Sequence, residues 1–307
     1  TLTGSGTNSG NGITQPTLVR NLRVHNGRLT QWRGLFMCAV RAGGENNQID
    51  HVQADENFDG IVALNNAVFS DCASSFNAGD GFYAGTGSRL TDCSAAQNGV
   101  FGFYVGSGSS LSGCAANKNG NYGIYAVGGC SLVNCASADN LRDGIYVGNG
   151  CSFANCAASF NRGDGIFTGR GSVLLNCNSF HNSTNGFSVF ENCILQECSS
   201  SYNGLQGFDI QSNGNAIVHC TANNNTSSGI FVFEDNNRLE GNHLAANDYG
   251  LYFRYWNTAA QAENNSATRN TAVQNASGNY FYVGVTNNIG PIEGAGSFAS
   301  PWANFSY

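Results

Sequence analysis

Hydrophobic and polar residues alternate over short stretches of this chain, and a glycine precedes most of these stretches. In the segment 81–97 the apolar or small positions after the glycine are Phe82, Ala84, Leu90, Cys93 and Ala95. An alternation with a period of two is typical of β-strands, and each stretch is too short for a helix. The pattern therefore predicts three short strands, joined by tight turns, in each unit of about 21 residues.

The same unit recurs along most of the chain. A glycine marks each repeat, at Gly60, Gly81, Gly102, Gly123, Gly144, Gly165, Gly186, Gly207, Gly229 and Gly250. Cysteines recur with the same period, at Cys72, Cys93, Cys114, Cys135, Cys156, Cys177 and Cys198, followed by Cys220. A fixed period indicates one structural unit stacked many times, so we expect one elongated all-β domain instead of two globular ones.

Apolar residues one and three positions after each glycine are expected to face a narrow core. The first of these columns is Ile61, Phe82, Phe103, Ile124, Ile145, Ile166, Phe187, Phe208, Ile230 and Leu251. Asparagines mark one turn of each repeat, at Asn77, Asn98, Asn119, Asn140, Asn161, Asn182, Asn203 and Asn225. Side-chain amides both donate and accept hydrogen bonds, so this column predicts an asparagine ladder. The cysteine column predicts a second ladder, which Asn242 and Asn264 continue where the cysteines stop.

These repeats resemble the coils of right-handed parallel β-helix repeat proteins of the pectate-lyase-like superfamily fold. Segments 90–124, 132–166 and 239–251 fit the pattern I-x-x-N-x-x-x-x-N-x-x-G-I, with cysteine in the first asparagine place except in the last. The resemblance implies a single-stranded right-handed parallel β-helix (a β-solenoid) over residues 1–270 and a C-terminal cap or docking tail over 271–307. It also implies a secreted protein, with an extracellular or cell-surface location.

Composition and charge narrow the classes of partner. The net charge is −7 and the sequence pI is about 5.1, which argues against nucleic acid or an anionic membrane surface as a partner. No apolar stretch is long enough to predict a membrane-spanning helix. The expected partners are a polysaccharide and further copies of the chain, which would associate through exposed coil ends. Neighbouring cysteines in the column are interpreted as buried thiols, with strained disulfides as the alternative.

Aromatic residues occupy the outward position two residues after many glycines. We interpret Tyr83, Tyr104, Tyr125, Tyr146, Phe167 and, further along, Trp256 as glycan-binding residues. The alternative is an aromatic ladder that stabilises the sheet by cross-strand contacts.

Charged residues cluster where the aromatic column is interrupted. The candidate catalytic residues there are Asp209, Glu191, Glu234 and Arg254, with Arg170, Gln211 and Asp235 close in phase. Carboxylates on neighbouring coils can reach the spacing of glycosidase pairs, and their mutual repulsion raises one pKa towards that of a general acid. The alternative is a solvated polar face.

A second segment has a weaker similarity to pectate lyases. The sequences Asn47–His51 and Asp59–Ile61 resemble parts of the Trp-Ile-Asp-His and Asp-Gly signatures, but Gln48 replaces the tryptophan and the arginine-x-proline segment is missing. No cofactor or metal is expected. Calcium is the alternative, since Asp55, Glu56 and Asp59, or Glu234 and Asp235, offer clustered oxygens, but neither spacing is that of a calcium loop.

Seven successive repeats keep their length without insertion, so the regular part of the chain has no loops with which to wall a cleft. This favours a structural or adhesive role on a cell surface, with contact to glycans and end-to-end assembly into filaments. The alternative is a polysaccharide lyase or glycoside hydrolase with its site near Asp209.

Overall fold

Each coil contains three short strands, because three short apolar stretches alternate with turn residues. In the coil that begins at Gly81 these strands are Phe82–Ala84, Arg89–Thr91 and Ser94–Ala96. Each of these strands pairs in parallel with its equivalent in the next coil, so Phe82 lies opposite Phe103 and Leu90 opposite Leu111. The three strands of this coil pair only with strands of neighbouring coils, which is the pairing of a parallel β-helix and confirms the predicted fold class.

A computed structural model describes residues 2–3, 10–16, 20–32, 38–253, 255–257, 260–281, 286–294 and 300–307, with the backbone alone at 3, 255–257 and 260–261. The chain contains two compact units, residues 1–148 (unit 1) and 149–307 (unit 2).

In unit 1 the strands of the sheet that carries the glycines are Ile13–Gln15, Cys38–Ala42, Asp59–Ala63, Phe82–Ala84, Phe103–Val105, Ile124–Ala126 and Ile145–Val147. The other strands of unit 1 are Leu2–Thr3, Arg23–Thr30, Gln48–Asp55, Val68–Ser70, Ala73–Ser75, Arg89–Thr91, Ser94–Ala96, Ser110–Ser112, Ala115–Asn117, Ser131–Val133 and Ala136–Ala138. The long strands Arg23–Thr30 and Gln48–Asp55 each run through two strand positions of a regular coil, with one left-handed residue, Asn26 or His51, at the bend between the two positions.

In unit 2 the strands that carry or follow the glycines are Ile166–Thr168, Phe187–Val189, Phe208–Ile210, Ser228–Val232, Tyr249–Phe253 and Gly278–Phe281. The second strands of the coils are Ser152–Ala154, Val173–Leu175, Ile194–Gln196, Ala216–Val218, Arg238–Glu240, Ser266–Thr268, Asn288–Ile289 and Ile292–Glu293. The third strands are Ala157–Ser159, Asn178–Phe180, Ser199–Ser201, Thr221–Asn223, His243–Ala245, Thr271–Val273 and Asn304–Ser306. Tyr255–Asn257 and Ala260–Gln261 form a separate antiparallel pair.

The core of each unit consists of the predicted apolar columns. Phe82 and Phe103 are fully buried, and their rings stack with centroids 4.8 Å apart. Phe187 and Phe208 repeat this arrangement in unit 2, at 4.9 Å. Like residues meet because the register places each position of a coil opposite the same position of the next coil.

Asparagine ladders form at the buried turns, as predicted, and pair the hydrogen-bonding groups there. In unit 1 the Asn98 side chain accepts hydrogen bonds from the backbone N–H and the Nδ2 of Asn77, at 3.2 and 2.9 Å. Its own Nδ2 donates to Oδ1 of Asn119 at 3.0 Å and to the carbonyl oxygen of Ser74 at 3.1 Å. The ladder begins at Asn57, one coil before its predicted start, and in unit 2 it extends to Asn275.

All twelve cysteines are buried thiols, and none of them is in a disulfide bond. Their thiols donate to carbonyl oxygens, as Cys93 does to the oxygen of Thr91 at 3.3 Å. The thiol is therefore a weak donor to a carbonyl oxygen of its own coil, and the sulfur fills the corner as a small apolar group.

One prediction about this corner is wrong. Asn242 does continue the cysteine column, since its Oδ1 accepts from the backbone N–H of Cys220 at 2.8 Å, but the next member is Asn270 and not Asn264. The spacing from Asn242 to Asn270 is 28 residues because this coil also contains the antiparallel pair. Asn264 lies at another turn, and its neighbour Asn265 accepts a hydrogen bond from the backbone of Asn237.

Strand pairing continues past residue 270, the predicted end of the β-helix. Thr271–Val273 pairs in parallel with His243–Ala245, and Asn304–Ser306 pairs with Thr271–Val273. A role of residues 271–307 as a cap or docking tail stays a prediction. Among the described residues, no helix has the length and apolar character needed to cross a bilayer.

Candidate functional site

Two columns of side chains line the outer surface of the sheet that carries the glycines, which we call the glycine face. The leading column holds the residue before each glycine, and the central column holds the second residue after it. In unit 1 these are Asp59, Asp80, Phe101, Tyr122 and Asp143 (leading) and Val62, Tyr83, Tyr104, Tyr125 and Tyr146 (central). In unit 2 they are Asp164, Asn185, Gln206, Ser228 and Tyr249 (leading) and Phe167, Ser188, Asp209, Phe231 and Tyr252 (central).

The aromatic residues of unit 1 stack on one another. The rings of Tyr83 and Tyr104 are 5.0 Å apart and 2° from parallel, and those of Phe101 and Tyr122 are 5.9 Å apart and 5° from parallel. The central column continues in the same way from Tyr104 to Tyr125 and from Tyr125 to Tyr146. Parallel rings cover each other's faces, so this surface presents ring edges and hydroxyl groups to solvent.

The predicted glycan-binding role of these aromatic residues stays a prediction. The geometry restricts it, because a sugar would meet edges and hydroxyls instead of open ring faces. Phe167 is half-buried in the central column of unit 2. The side chain of Trp256 lies outside the described residues.

A polar network interrupts the aromatic columns in unit 2. Asp164 Oδ1 accepts hydrogen bonds from Thr184 Oγ1 at 2.5 Å and from the backbone N–H of Asn185 at 2.9 Å. Its Oδ2 accepts from the Ser188 hydroxyl at 2.5 Å. Ser188 is therefore completely buried, although the strand alternation directs it outward. The network holds Asn185 in place with both ends of its amide in use, on Ser188 Oγ and on the backbone of Gln206.

Asp209 lies beside this network. Its Oδ2 accepts hydrogen bonds from Gln211 Nε2 at 2.8 Å and from Asn185 Nδ2 at 3.4 Å. Burial, together with the negative charge of Asp164, raises the pKa of Asp209 to about 6, although the hydrogen bond from Gln211 lowers it. A carboxyl group with this pKa exchanges a proton near neutral pH, which is the property that a general acid or base requires.

The other predicted catalytic residues have different surroundings. Glu191 forms an ion pair with Arg170 at 2.9 Å, and the Arg170 guanidinium lies over the ring of Phe190. Glu234 is exposed, and Arg254 lies outside the described residues. The contacts of Asp209 come instead from Asn185 and Gln211, with Asp164 near enough to shift its pKa.

An open groove of about 310 Å³ lies further along the glycine face of unit 2. Its lining residues are Gln206, Ser227, Ser228, Phe231, Tyr249 and Tyr252. In the leading column Gln206 and Ser228 replace the rings that Phe101 and Tyr122 supply in unit 1. The smaller polar side chains leave a gap, and Phe231, which pairs in register with Asp209, contributes to its lining.

Unit 1 has a second acidic groove that the sequence did not predict. It measures about 460 Å³, and Cys38, Arg41, Asp59, Val62, Leu64, Asp80 and Tyr83 line it. Burial, together with the charge of Asp59, raises the pKa of Asp80 to about 6. Burial also raises the pKa of Asp59, and that of the Cys38 thiol to about 12.

Asp80, Asp164 and Asn185 are the residues that sequence reasoning missed. Each immediately precedes a column glycine, so their shared phase was available in the sequence. The bend at the glycine brings this position beside the central column. The alternation of apolar and polar residues does not contain that bend, so it does not predict the contact.

The raised pKa of Asp209 predicts how stability depends on pH. The unfolded chain ionises near the ordinary value of 3.8 and the folded chain only near 6, so this group stabilises the fold below about pH 4 and loses that contribution as pH rises to 6. Asp209→Asn removes the ionisation. We expect the change in the free energy of unfolding that this substitution causes to be more stabilising at pH 8 than at pH 4, by up to about 3 kcal/mol.

Urea denaturation at pH 4 and pH 8 measures this difference. The matched control is Asp139→Asn, an exposed aspartate at a left-handed turn that asparagine tolerates. Equal pH dependence of the two variants would contradict the raised pKa.

Comparisons with known proteins support the fold. The model of a family described as "Right handed beta helix region" matches residues 7–137 and 129–267. A sequence search of curated proteins returns no match. Among solved structures, the chain is similar to the A-module of mannuronan C-5 epimerase AlgE6 from Azotobacter vinelandii, with 16% identity, a TM-score of 0.56, and coverage of 99% of this chain and 82% of that chain.

Two further solved structures are similar. The AlgE4 A-module of the same organism is 13% identical, with a TM-score of 0.55 over 94% of this chain and 91% of that chain. A tailspike protein from an Acinetobacter baumannii bacteriophage, a capsular polysaccharide depolymerase, is 11% identical, with a TM-score of 0.47 over 88% of this chain and 61% of that chain. At such identities the likeness to the epimerase modules shows a common fold.

Proposed function

The chain belongs to the right-handed β-helix family, and from this premise we propose that it binds polysaccharide on the glycine face of unit 2. The single observation that carries the proposal is the groove between Gln206 and Tyr252, where polar side chains replace aromatic ones. The epimerase modules that share its fold act on mannuronan, a polysaccharide, which supports this class of ligand.

The groove combines the two kinds of contact that a sugar ring needs. Phe231, Tyr249 and Tyr252 supply apolar ring surface for the C–H groups of a sugar. Gln206 and Ser227 supply an amide and a hydroxyl, which both donate and accept hydrogen bonds to sugar hydroxyls. Phe231 and Tyr252 stack as the central rings of unit 1 do, with centroids 5.3 Å apart. Tyr249 differs from its equivalents in unit 1, because Ser228 precedes it in the leading column, whereas Phe101 and Tyr122 stack on each other.

Such a protein would have an adhesive or structural role at an extracellular or cell-surface location. Open grooves without walling loops suit the binding of a long chain at several successive sugars. End-to-end association of coils into filaments would multiply the number of binding sites.

Binding to a panel of neutral and acidic polysaccharides, measured by calorimetry, tests the proposal. We expect Tyr249→Ala to weaken the best-bound polysaccharide at least tenfold, because the groove loses one of its rings. The matched control is Tyr202→Ala, since Tyr202 is exposed in unit 2 but does not line the groove. If Tyr249→Ala binds the polysaccharide as the wild type does and Tyr125→Ala loses affinity, the proposal is wrong and the binding site lies on the aromatic stack of unit 1.

Catalysis at Asp209 is a second candidate function, favoured by its pKa of about 6. In a glycoside hydrolase Asp209 would protonate the glycosidic oxygen, and Asp164 is the nearby carboxylate of the pair. In a lyase an ionised Asp209 would accept the proton that the substrate loses.

Release of reducing ends or unsaturated products from the bound polysaccharide tests this second function. Activity that Asp209→Asn abolishes, and Asp139→Asn preserves, would support it. Products formed equally by Asp209→Asn would contradict a catalytic role of Asp209, and binding without products would leave the first function standing alone.

A further inference from the structure

Two histidines from neighbouring coils meet on unit 1, although they are 26 positions apart in the sequence. The strands Arg23–Thr30 and Gln48–Asp55 pair in parallel, and this register places His25 opposite Asp50. His51 follows at a turn with a φ of 54°, outside the regular alternation. The imidazole rings of His25 and His51 are therefore brought together, with centroids 5.7 Å apart and planes nearly perpendicular.

The side chains of His25, Asp50 and His51 present a compact set of donor atoms. One nitrogen from each histidine and one oxygen of Asp50 lie within 4.8 Å of one another. His25 Nδ1 is 2.8 Å from Asp50 Oδ2, and the Asn26 amide hydrogen-bonds to the opposite ring nitrogen of His25 at 2.7 Å. The His25 ring is thus held with Nδ1 directed at the carboxylate.

Asp50 supplies an independent sign of a missing ligand. It is 6% exposed, and its Oδ1 is buried with no hydrogen-bond partner among the described residues. Its Oδ2 is shared by His25 and Arg23, the latter at 3.5 Å. An unpaired buried carboxylate oxygen is costly, so a group that meets Oδ1 would stabilise this arrangement.

We infer that His25, Asp50 and His51 form a binding site for a divalent transition-metal ion of the zinc type. Two imidazole nitrogens and one carboxylate oxygen match the ligands of Zn²⁺, Cu²⁺ and Ni²⁺, whereas Ca²⁺ and Mg²⁺ prefer sites made entirely of oxygen. Water would complete a tetrahedral shell. Asp71 Oδ2 lies 3.8 Å from His51 Nε2, so a small movement of the exposed Asp71 side chain would let it accept a hydrogen bond from the second imidazole, as carboxylates do in many zinc sites.

The ion would connect two successive coils. His25 belongs to one coil, and Asp50 and His51 to the next, so bound metal would bridge neighbouring coils near the start of unit 1. Metal that binds only the folded chain raises the unfolding temperature in proportion to the logarithm of its concentration. This role is independent of the polysaccharide groove, which lies in unit 2.

Titration of the full chain, first stripped with a chelator, with ZnCl₂ in a calorimeter tests the inference. We expect one ion per chain with a dissociation constant in the micromolar range or tighter, and a rise in unfolding temperature. His51→Asn should weaken binding at least tenfold, and asparagine suits the left-handed turn because Asn134 and Asn155 occupy such turns. The matched control is His243→Ala, an exposed histidine in unit 2, which should bind as the wild type does.

Cobalt substitution identifies the ligands, since the twelve thiols are competing donors. The proposed site predicts visible absorption of tetrahedral Co²⁺ without a thiolate-to-cobalt charge-transfer band, and loss of that absorption in His51→Asn. Absence of binding, binding that His51→Asn leaves unchanged, or a thiolate band would each overturn the inference.

Discussion

Asn98→Leu is expected to lower the free energy of unfolding by about 3 to 5 kcal/mol, the largest effect that we predict for a single side chain. The Asn98 amide makes four hydrogen bonds inside unit 1, to Asn77, Asn119 and Ser74. Leucine has the same branched arrangement of side-chain heavy atoms, is larger, and makes none of these bonds. The buried backbone N–H of Asn77 would lose its acceptor, and Asn77 Nδ2 and Asn119 Oδ1 would each lose one of their hydrogen bonds. A buried group left without a partner costs about 1 to 3 kcal/mol.

Asn117→Leu is the matched control, because Asn117 lies on the next coil, in register with Ala96, and is exposed. Urea denaturation followed by circular dichroism should show a clearly lower midpoint for Asn98→Leu and a nearly unchanged one for Asn117→Leu. Equal midpoints would mean that the ladder adds little to stability.

Gly186→Ala is expected to cost about 3 kcal/mol or more and to impair polysaccharide binding as well. A methyl group at Gly186 would overlap the Ser200 hydroxyl, and it would lie 2.7 Å from the carbonyl oxygen of Gly207 and 2.8 Å from Asn203 Nδ2. The backbone would have to shift at the residue between Asn185 and the strand that carries Ser188. The network beside Asp209 would shift with it.

Gly294→Ala is the control for this variant, because a methyl group there meets no atom within 4 Å. Thermal unfolding and calorimetric binding to the best polysaccharide should both separate the two variants. If Gly186→Ala is as stable as the wild type, close packing of the coils does not require glycine at this position.

The periodic part of this fold is predictable because stacking places equal positions on top of each other. Phe82 and Phe103 share a phase, so a column read from the sequence becomes a column in the core. The close approach of coils at the glycine column explains its period, since an added methyl group at Gly102 would lie 2.5 Å from the oxygen of Gly123.

Prediction fails where the period changes. A period of 22 residues after Asn242 predicts Asn264 as the next member of the ladder. The coil is 28 residues long instead, so Asn270 takes that place. His25 and His51 also belong to irregular coils, and the 26 positions between them do not match the short spacings typical of metal ligands in a sequence. Register between long strands is a tertiary property that the local pattern does not contain.

The candidate site is predictable in part. The break in the aromatic column indicates Asp209, and in the structure burial and the charge of Asp164 raise the pKa of this residue. Its partners Asp164 and Asn185 were missed, because the bend before each glycine brings the leading column against the central one. Proximity of that kind depends on turn geometry, which a linear alternation does not encode.

A crystal structure of the chain soaked with its best-bound oligosaccharide tests the central claim most directly. The account predicts sugar density in the groove of unit 2, with a ring against Tyr249 or Phe231 and hydroxyl groups hydrogen-bonded to Gln206 and Ser227. Sugar density along the stacked tyrosines of unit 1, or on a face without the glycine column, would contradict it.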